Sequence, residues 1–211
     1  LKPVTRGAFI SFEGGEGAGK STQIRRLADR LQVAGFDVVL TREPGGSPGA
    51  ETIRDLLVNG EADRWSSITE TLLMYAARRD HLERVIRPAL DRGAIVLCDR
   101  FADSTRAYQG AGGDAPASLI AALEDHVLAG SIPDLTLIFD IPATIGLDRA
   151  ASRGGAARFE SKGLDFHERL RAGFLAIAQR EPERCAVIDA NDTPDAVCEA
   201  VWDVVSSRLD L

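Results

Sequence analysis

Eight consecutive residues constrain this chain more than any others. Gly14-Gly15-Glu16-Gly17-Ala18-Gly19-Lys20-Ser21 satisfies the pattern G-x-x-x-x-G-K-[ST] in full. Such a loop has meaning only between a strand and a helix. Both are legible here. Residues 8–12 form a short β-rich apolar run, and Ile24, Leu27, Ala28 and Leu31 recur at i, i+3, i+4 and i+7 until Gly35 stops the pattern. Glycines let successive backbone N–H groups converge on phosphate oxygens without a Cβ in the way, and the helix N-terminus adds partial positive charge. Lys20 is placed to reach the β- and γ-phosphates of a nucleoside triphosphate, and Ser21 to offer its hydroxyl to Mg²⁺. The expected ATP-phosphate site is therefore Gly14, Gly15, Gly17, Ala18, Gly19, Lys20, Ser21 and Thr22.

The rest of the chain alternates in the same way. Short apolar runs at 38–40, 94–98, 135–139 and 186–188 read as further buried strands, apolar on both faces. Helical patterns lie between them. Ser47-Pro48 reads as a cap and first-turn proline, with Gly60 as the stop. Ser67-Ile68-Thr69-Glu70 reads as a capping box opening a long helix toward Ala89, which Pro88 kinks or ends. Thr193-Pro194 starts the last helix. This order predicts a doubly wound α/β domain, with ligands at the C-terminal ends of the strands.

Composition narrows the function. In 211 residues, 25 Lys and Arg stand against 32 Asp and Glu, a net charge of −7, with no basic block. A chain of that kind is a poor tracker of nucleic-acid backbone. No stretch approaches the roughly 18 uninterrupted apolar residues of a membrane span. Residues 1–7 read as a short solvated leader, not a signal peptide. The three cysteines, Cys98, Cys185 and Cys198, lack metal-ligand spacing and a disulfide pattern, which fits a reducing cytoplasm. His81, His126 and His167 fall on predicted helices and read as structural or surface residues.

A P-loop alone does not separate a kinase from a switch or a mechanical ATPase, although the Asn-Lys-x-Asp guanine reader of a GTPase is missing from the sequence. The 94–98 strand runs into Asp99-Arg100, which places a carboxylate for Mg²⁺ or its water and a guanidinium for an anion beside the loop. Thr41-Arg42-Glu43-Pro44-Gly45-Gly46 follows the second strand. Leu72-Leu73-Met74-Tyr75-Ala76-Ala77-Arg78 lies in the long helix, and Ser104-Thr105-Arg106-Ala107-Tyr108-Gln109-Gly110 follows Asp99-Arg100-Phe101. With the Glu16 form of the P-loop, this set closely resembles thymidylate kinases, over nearly the whole chain.

The resemblance implies a single P-loop nucleoside monophosphate kinase domain over residues 1–211. Its three-layer α/β fold has a five-stranded parallel sheet flanked by helices, and a lid at about 149–162. It implies phosphorylation of dTMP to dTDP by ATP and Mg²⁺ in dTTP biosynthesis, and a cytoplasmic homodimer formed through helices such as the long one from Ser67. By resemblance, Arg100 and Arg78 hold the dTMP phosphate, with Arg78 also near the base. Glu16 faces the deoxyribose 3′-hydroxyl, and Pro44 walls the sugar-base pocket. Thr105 and Gln109 address the polar edge of thymine, and Tyr108 crowds the sugar 2′ position. The family usually carries phenylalanine four residues before the Arg78-type arginine. Met74 stands there instead, and a thioether packs on a ring face without an aromatic quadrupole.

After the fourth strand, Arg149, Arg153 and Arg158 are spread across a segment containing Gly154-Gly155, as a closing lid requires. Ala18 occupies a position where some thymidylate kinases carry a P-loop arginine, so the resemblance points to the version with lid arginines. Arg153 and Arg158 are then the transition-state charge stabilisers and Arg149 the adenine-stacking residue. Glu160 lies near the acceptor phosphate or metal, and the Ala190-Asn191-Asp192 loop closes the adenine pocket. Lys20, Arg100, Arg153, Arg158 and Glu16 form the expected catalytic set, with Ser21 and Asp99 for Mg²⁺. Two other readings remain open. One is a kinase of another nucleotide or of a deoxynucleoside, for which Glu13 or Glu16 would be the base. The other, from a different class, is an ATP-binding switch or interaction module.

Overall fold

The computed structural model describes residues 7–59, 64–152 and 162–209. Its strands are β1 (Phe9–Gly14), β2 (Val38–Arg42), β3 (Ile95–Asp99), β4 (Leu135–Asp140) and β5 (Cys185–Asp189). They form a five-stranded parallel sheet in the order β2-β3-β1-β4-β5. β1 thus has β3 on one side and β4 on the other. The winding reverses there, and the crevice for a ligand opens at its C-terminal end.

The sheet is the middle of three layers. On one face, α1 (Lys20–Val33) and α9 (Pro194–Arg208) pack Ile24, Leu27, Leu31, Val197 and Val201 against Ile10, Phe12, Leu135 and Leu137. On the other, α3 (Ser67–His81) and α6 (Ala117–Leu128) bring Tyr75 and Ile120 to Phe9, Val96 and Cys98. Beside them, α8 (Leu164–Arg180) packs Leu170, Phe174 and Ile177 against Ile138 and Cys185. The apolar spacing that predicts α1 is the spacing that buries it.

The elements differ from the sequence reading at several points. β2 and β5 are edge strands, so Leu40 and Val187 are about half exposed rather than covered on both faces. α3 is capped by Ser66, whose Oγ accepts from Thr69 N at 3.2 Å, not by Ser67. The Ser67 hydroxyl accepts instead from Asp114 N, and Glu70 is buried. Ser47 precedes α2 (Pro48–Val58) but spends its hydroxyl on Asp80, donating at 2.6 Å, rather than capping. Gly60 lies outside the described residues. Pro88 neither ends nor sharply interrupts the long helix. A π-helical turn (Leu82–Ile86) absorbs the missing N–H, and the chain continues into α4 (Arg87–Asp91).

Beneath the crevice lies a buried ionic network. α5 (Ala102–Thr105) carries Asp103, which accepts from Arg184 Nη1 at 2.7 Å and from Arg106 Nη1 at 3.2 Å. Arg184 also donates to Thr136 Oγ1 and Glu181, and Arg106 grips Glu124 with paired 2.7 Å bonds. Removing one partner of a buried pair leaves the other charge uncompensated. Arg184→Met is therefore expected to lower stability by at least about 2 kcal/mol in urea unfolding, because of its two cationic partners Asp103 keeps Arg106 alone. A midpoint unchanged from wild type would contradict that role.

Candidate active site

The C-terminal ends of β1, β2 and β3 bring the site together, since Phe12 and Arg42 both register with Asp99. β1 leads directly into the phosphate loop, and α1 begins at Lys20. The loop turns through left-handed conformations at Gly17 (φ 69°) and Gly19 (φ 83°). Lys20 Nζ donates to the Gly15 and Gly14 carbonyls at 2.7 and 3.0 Å. Burial, and then the nearby Arg100, bring its pKa down to about 8. Ser21 Oγ donates to Asp99 Oδ2 at 2.9 Å, and Thr22 is exposed in the first turn of α1.

One side of the loop packs on α7 (Ala143–Ala151). A Cβ at Gly17 would collide with the Gly146 backbone, and one at Gly146 would meet the Glu16 carbonyl at 2.5 Å. This glycine pair is what lets the phosphate loop and α7 touch. Arg149, on the last turn of α7, donates to the Ala190 carbonyl at 2.9 Å and so meets the loop after β5. Arg153, Arg158 and Glu160 lie outside the described residues, as does most of the 149–162 segment.

On the other side, the chain leaves β3 through Arg100, a non-glycine residue at φ 70°. That left-handed residue turns the side chain back over the phosphate loop. Arg100 Nη1 donates to the Gly14 carbonyl at 3.0 Å, and Nη2 to Glu16 Oε1 at 2.9 Å. Its guanidinium also lies 4.9 Å from the centre of the Tyr108 ring. Tyr108 Oη donates to the same Glu16 oxygen at 2.7 Å. Burial pushes the Glu16 carboxyl up, but Arg100 and Lys20 outweigh it and hold the pKa at about 2.

Glu13 holds the turn from below. Its Oε1 accepts from Phe101 N at 2.7 Å and its Oε2 from Ser104 Oγ at 2.6 Å. Burial and the Asp103 charge raise its pKa to about 7.

Between these parts lies a cavity of about 210 Å³, lined by Glu16, Glu43, Pro44, Arg54, Val58, Met74, Arg78, Arg100, Phe101, Ser104, Thr105, Tyr108 and Gln109. The eight residues expected to bind dTMP, Met74 included, are all in that wall. Tyr75, next to Met74, turns away into the core and donates to Glu124. Arg78 is 2% exposed. Its Nε donates to Glu43 at 2.7 Å and its Nη2 to the Phe101 carbonyl and Thr105 Oγ1. Its Nη1 is buried with no hydrogen-bond partner among the described residues. A buried guanidinium N–H without a partner is costly, so a polar ligand in this cavity would satisfy it.

Some of the supporting residues escape sequence reasoning. Glu43 joins Arg78 to His81, accepting from Arg78 and meeting His81 Nδ1 at 2.9 Å. His81 Nε2 lies 2.6 Å from Thr41 Oγ1. His81 is thus wired to the cavity wall rather than being only a packing residue. Arg54 reaches the Pro44 carbonyl from α2, and Glu70 accepts from Gln109. Each pairing joins different elements, and no local motif marks the partner. His126 is exposed and His167 buried.

The donor set fits Mg²⁺. A hydroxyl and a carboxylate oxygen adjacent at the phosphate loop suit a hard cation that keeps several waters and takes the rest of its ligands from phosphates. Among the described residues no larger cluster of His, Cys, Asp and Glu offers an all-protein cage.

A parallel sheet with this strand order, a full phosphate loop and an arginine-lined cavity beside it place the molecule among the P-loop α/β nucleotide-binding proteins. Comparison with known proteins narrows the class. The thymidylate kinase family profile matches residues 12–201. A thymidylate kinase of Caulobacter vibrioides is 77% identical over 208 residues, 99% of this chain and 100% of its own length. One from a Bradyrhizobium species is 53% identical, over 97% of this chain and 92% of its own. The crystal structure of a thymidylate kinase from Ehrlichia chaffeensis superposes with a TM-score of 0.77 at 38% identity, covering 94% of this chain and 98% of that one. The chain belongs to the thymidylate kinase family.

The raised Glu13 pKa has a consequence for stability. Between the ordinary carboxylate pKa of about 4.5 and its folded value of about 7, the native state binds more protons at Glu13 than the unfolded state does. This contribution is complete below about pH 4.5 and is lost as pH rises through 7, on the order of 3 kcal/mol in all. Glu16 works in the opposite sense and in another window, losing its contribution as pH falls from 4.5 through 2. Glu13→Gln is therefore expected to gain stability relative to wild type between pH 4.5 and 8. Urea unfolding across that range checks this, and a difference that stays flat contradicts it.

Proposed function

We propose that this chain performs the reaction of its family, transfer of the γ-phosphoryl group of ATP to dTMP to give dTDP, on the route to dTTP. The observation that carries the reading is Arg78 Nη1, buried and without a partner among the described residues, in a cavity that Arg100 ties to the phosphate loop. The acceptor is a phosphate monoester, largely dianionic at pH 7 because its second pKa is about 6. It is already a nucleophile and needs no general base. The difficulty is bringing two anions together. Lys20 meets the β- and γ-phosphates of the donor, and Arg78 and Arg100 meet the acceptor phosphate, with Arg78 reaching the base edge as well through Nη1. Gly14, Gly15, Gly17, Ala18, Gly19, Ser21 and Thr22 cradle the donor with backbone and hydroxyl groups. Ser21 and Asp99 are the residues that would hold Mg²⁺. When bound there, the ion neutralises charge on the donor phosphates.

Glu16 faces the sugar 3′-hydroxyl, and Tyr108 excludes a 2′-hydroxyl. Pro44 and Met74 pack against sugar and base, and Thr105 and Gln109 meet the base edge. Arg153 and Arg158 stabilise charge in flight, a role worth on the order of 10³–10⁵ in rate for an arginine so placed. Arg149 stacks on adenine beside the 190–192 loop. The enzyme works in the cytoplasm as a homodimer. Free cysteines support the first point, and the exposed Leu56, Ile68 and Leu72 on the packed α2–α3 pair support the second.

The deoxynucleoside kinase reading requires a carboxylate base. Glu13 has both oxygens engaged and is absent from the cavity wall, and Glu16, at about 2, is too acidic to take a hydroxyl proton at neutral pH. A pure ATP switch leaves the arginine-lined cavity without a purpose. A coupled assay of dTDP formation from Mg-ATP and dTMP tests the proposal. Wild type is expected to turn over dTMP, and Lys20→Ala to lose at least about a thousandfold in kcat. No dTDP from the folded wild-type protein would refute it.

A further inference from the structure

Glu70 is a carboxylate at the base end of the cavity that nothing in the mechanism uses. It is 5% exposed, sits in the first turn of α3, and is not part of the cavity wall. Gln109 is part of that wall and is itself 2% exposed. Gln109 Nε2 donates to Glu70 Oε2 at 3.4 Å, a long bond between two buried side chains from different elements.

An ionised carboxylate can only accept hydrogen bonds. Facing it, the amide of Gln109 has one favourable orientation, with the NH₂ toward Glu70. The opposite orientation would set Oε1 against a carboxylate oxygen in a buried site, two acceptors facing each other. The orientation therefore follows from the chemistry of Glu70. With Nε2 engaged, Oε1 is the amide atom left to meet a ligand, and it is an acceptor.

The same cavity offers a donor in Arg78 Nη1. Donor and acceptor together complement a ring edge that presents a carbonyl oxygen beside an N–H, as thymine and uracil do at O4 and N3. Cytosine presents the reverse, an amino group beside a bare ring nitrogen. We propose that Glu70 is a specificity-positioning residue: by fixing the amide of Gln109 with its oxygen toward the ligand, it makes the site accept 4-oxopyrimidines and reject 4-aminopyrimidines. This rests on the proposed kinase activity and adds to it the residue that sets base choice.

After Glu70→Gln, the amide at position 70 can donate as well as accept. Gln109 is then free to turn over and present its NH₂ to the ring nitrogen of cytosine. The test is kcat/KM for dTMP and for dCMP with saturating Mg-ATP, in wild type, Glu70→Gln, Gln109→Leu and the double variant. Glu70→Gln is expected to lower the dTMP-to-dCMP ratio at least tenfold while the KM for ATP stays within twofold. Gln109→Leu is expected to lower the ratio as well, and adding Glu70→Gln to it to change the ratio no further. A ratio unchanged by Glu70→Gln, or a double variant in which the two losses multiply, overturns the assignment. A wild-type protein that phosphorylates dCMP as well as dTMP overturns it too, while leaving the kinase reading intact. Wild type inactive on dTMP overturns the kinase reading itself.

Discussion

The Glu16–Arg100 ion pair is the link on which the rest of the site depends. Glu16 belongs to the phosphate loop after β1, and Arg100 to the turn after β3. Their pairing, at 2.9 Å and mostly buried, fastens the two strand ends together across the crevice. The phosphate loop and the turn that carries Arg100 are thereby held at a fixed separation. Tyr108 closes the arrangement by donating to the same carboxylate oxygen, while its ring supports the guanidinium.

Holding Arg100 there has a structural cost. A left-handed backbone at an arginine is unfavourable by on the order of 1 kcal/mol or more. It persists because its surroundings over-determine it. Arg100 N donates to the Phe12 carbonyl, and Glu13 takes the next backbone N–H and the Ser104 hydroxyl. Glu13 is in turn crowded by Asp103, which the Arg184 and Arg106 network compensates. The chain of support runs from the surface-facing ion pairs, through two buried carboxylates, to one guanidinium. This gives the buried charges beneath the sheet end a purpose beyond stability: they define where Arg100 points.

The fold was largely legible because its signals are local. The apolar runs mark the strands, the period of Ile24, Leu27, Ala28 and Leu31 marks α1, and the phosphate loop declares the β–loop–α junction. The errors lie where tertiary contacts reassign a polar group. Ser47 looks like a cap, but Asp80 claims its hydroxyl, and Glu70 looks like the far member of a capping box, but it faces Gln109. The cavity wall was legible through short segments whose order resembles one family. The pairings that hold that wall in place were not. Glu43 and His81 are 38 positions apart in sequence, and Glu70 and Gln109 39. The side of α3 that meets Glu43 after β2 brings the first pair together, and its packing against residues 106–111 the second. Gly146 is similar, an unremarkable helical glycine until the phosphate loop is seen lying on it.

The central claim is that Glu16 serves the acceptor side of the site through Arg100, although it sits in the donor loop. Calorimetric titration of Glu16→Gln with dTMP and, separately, with Mg-ATP tests it most directly. The account predicts that dTMP affinity falls at least tenfold while Mg-ATP affinity stays within about threefold, since a tenfold change corresponds to the roughly 1.4 kcal/mol expected for losing one charge-assisted bond. An unchanged dTMP affinity, or equal losses for both ligands, would contradict it.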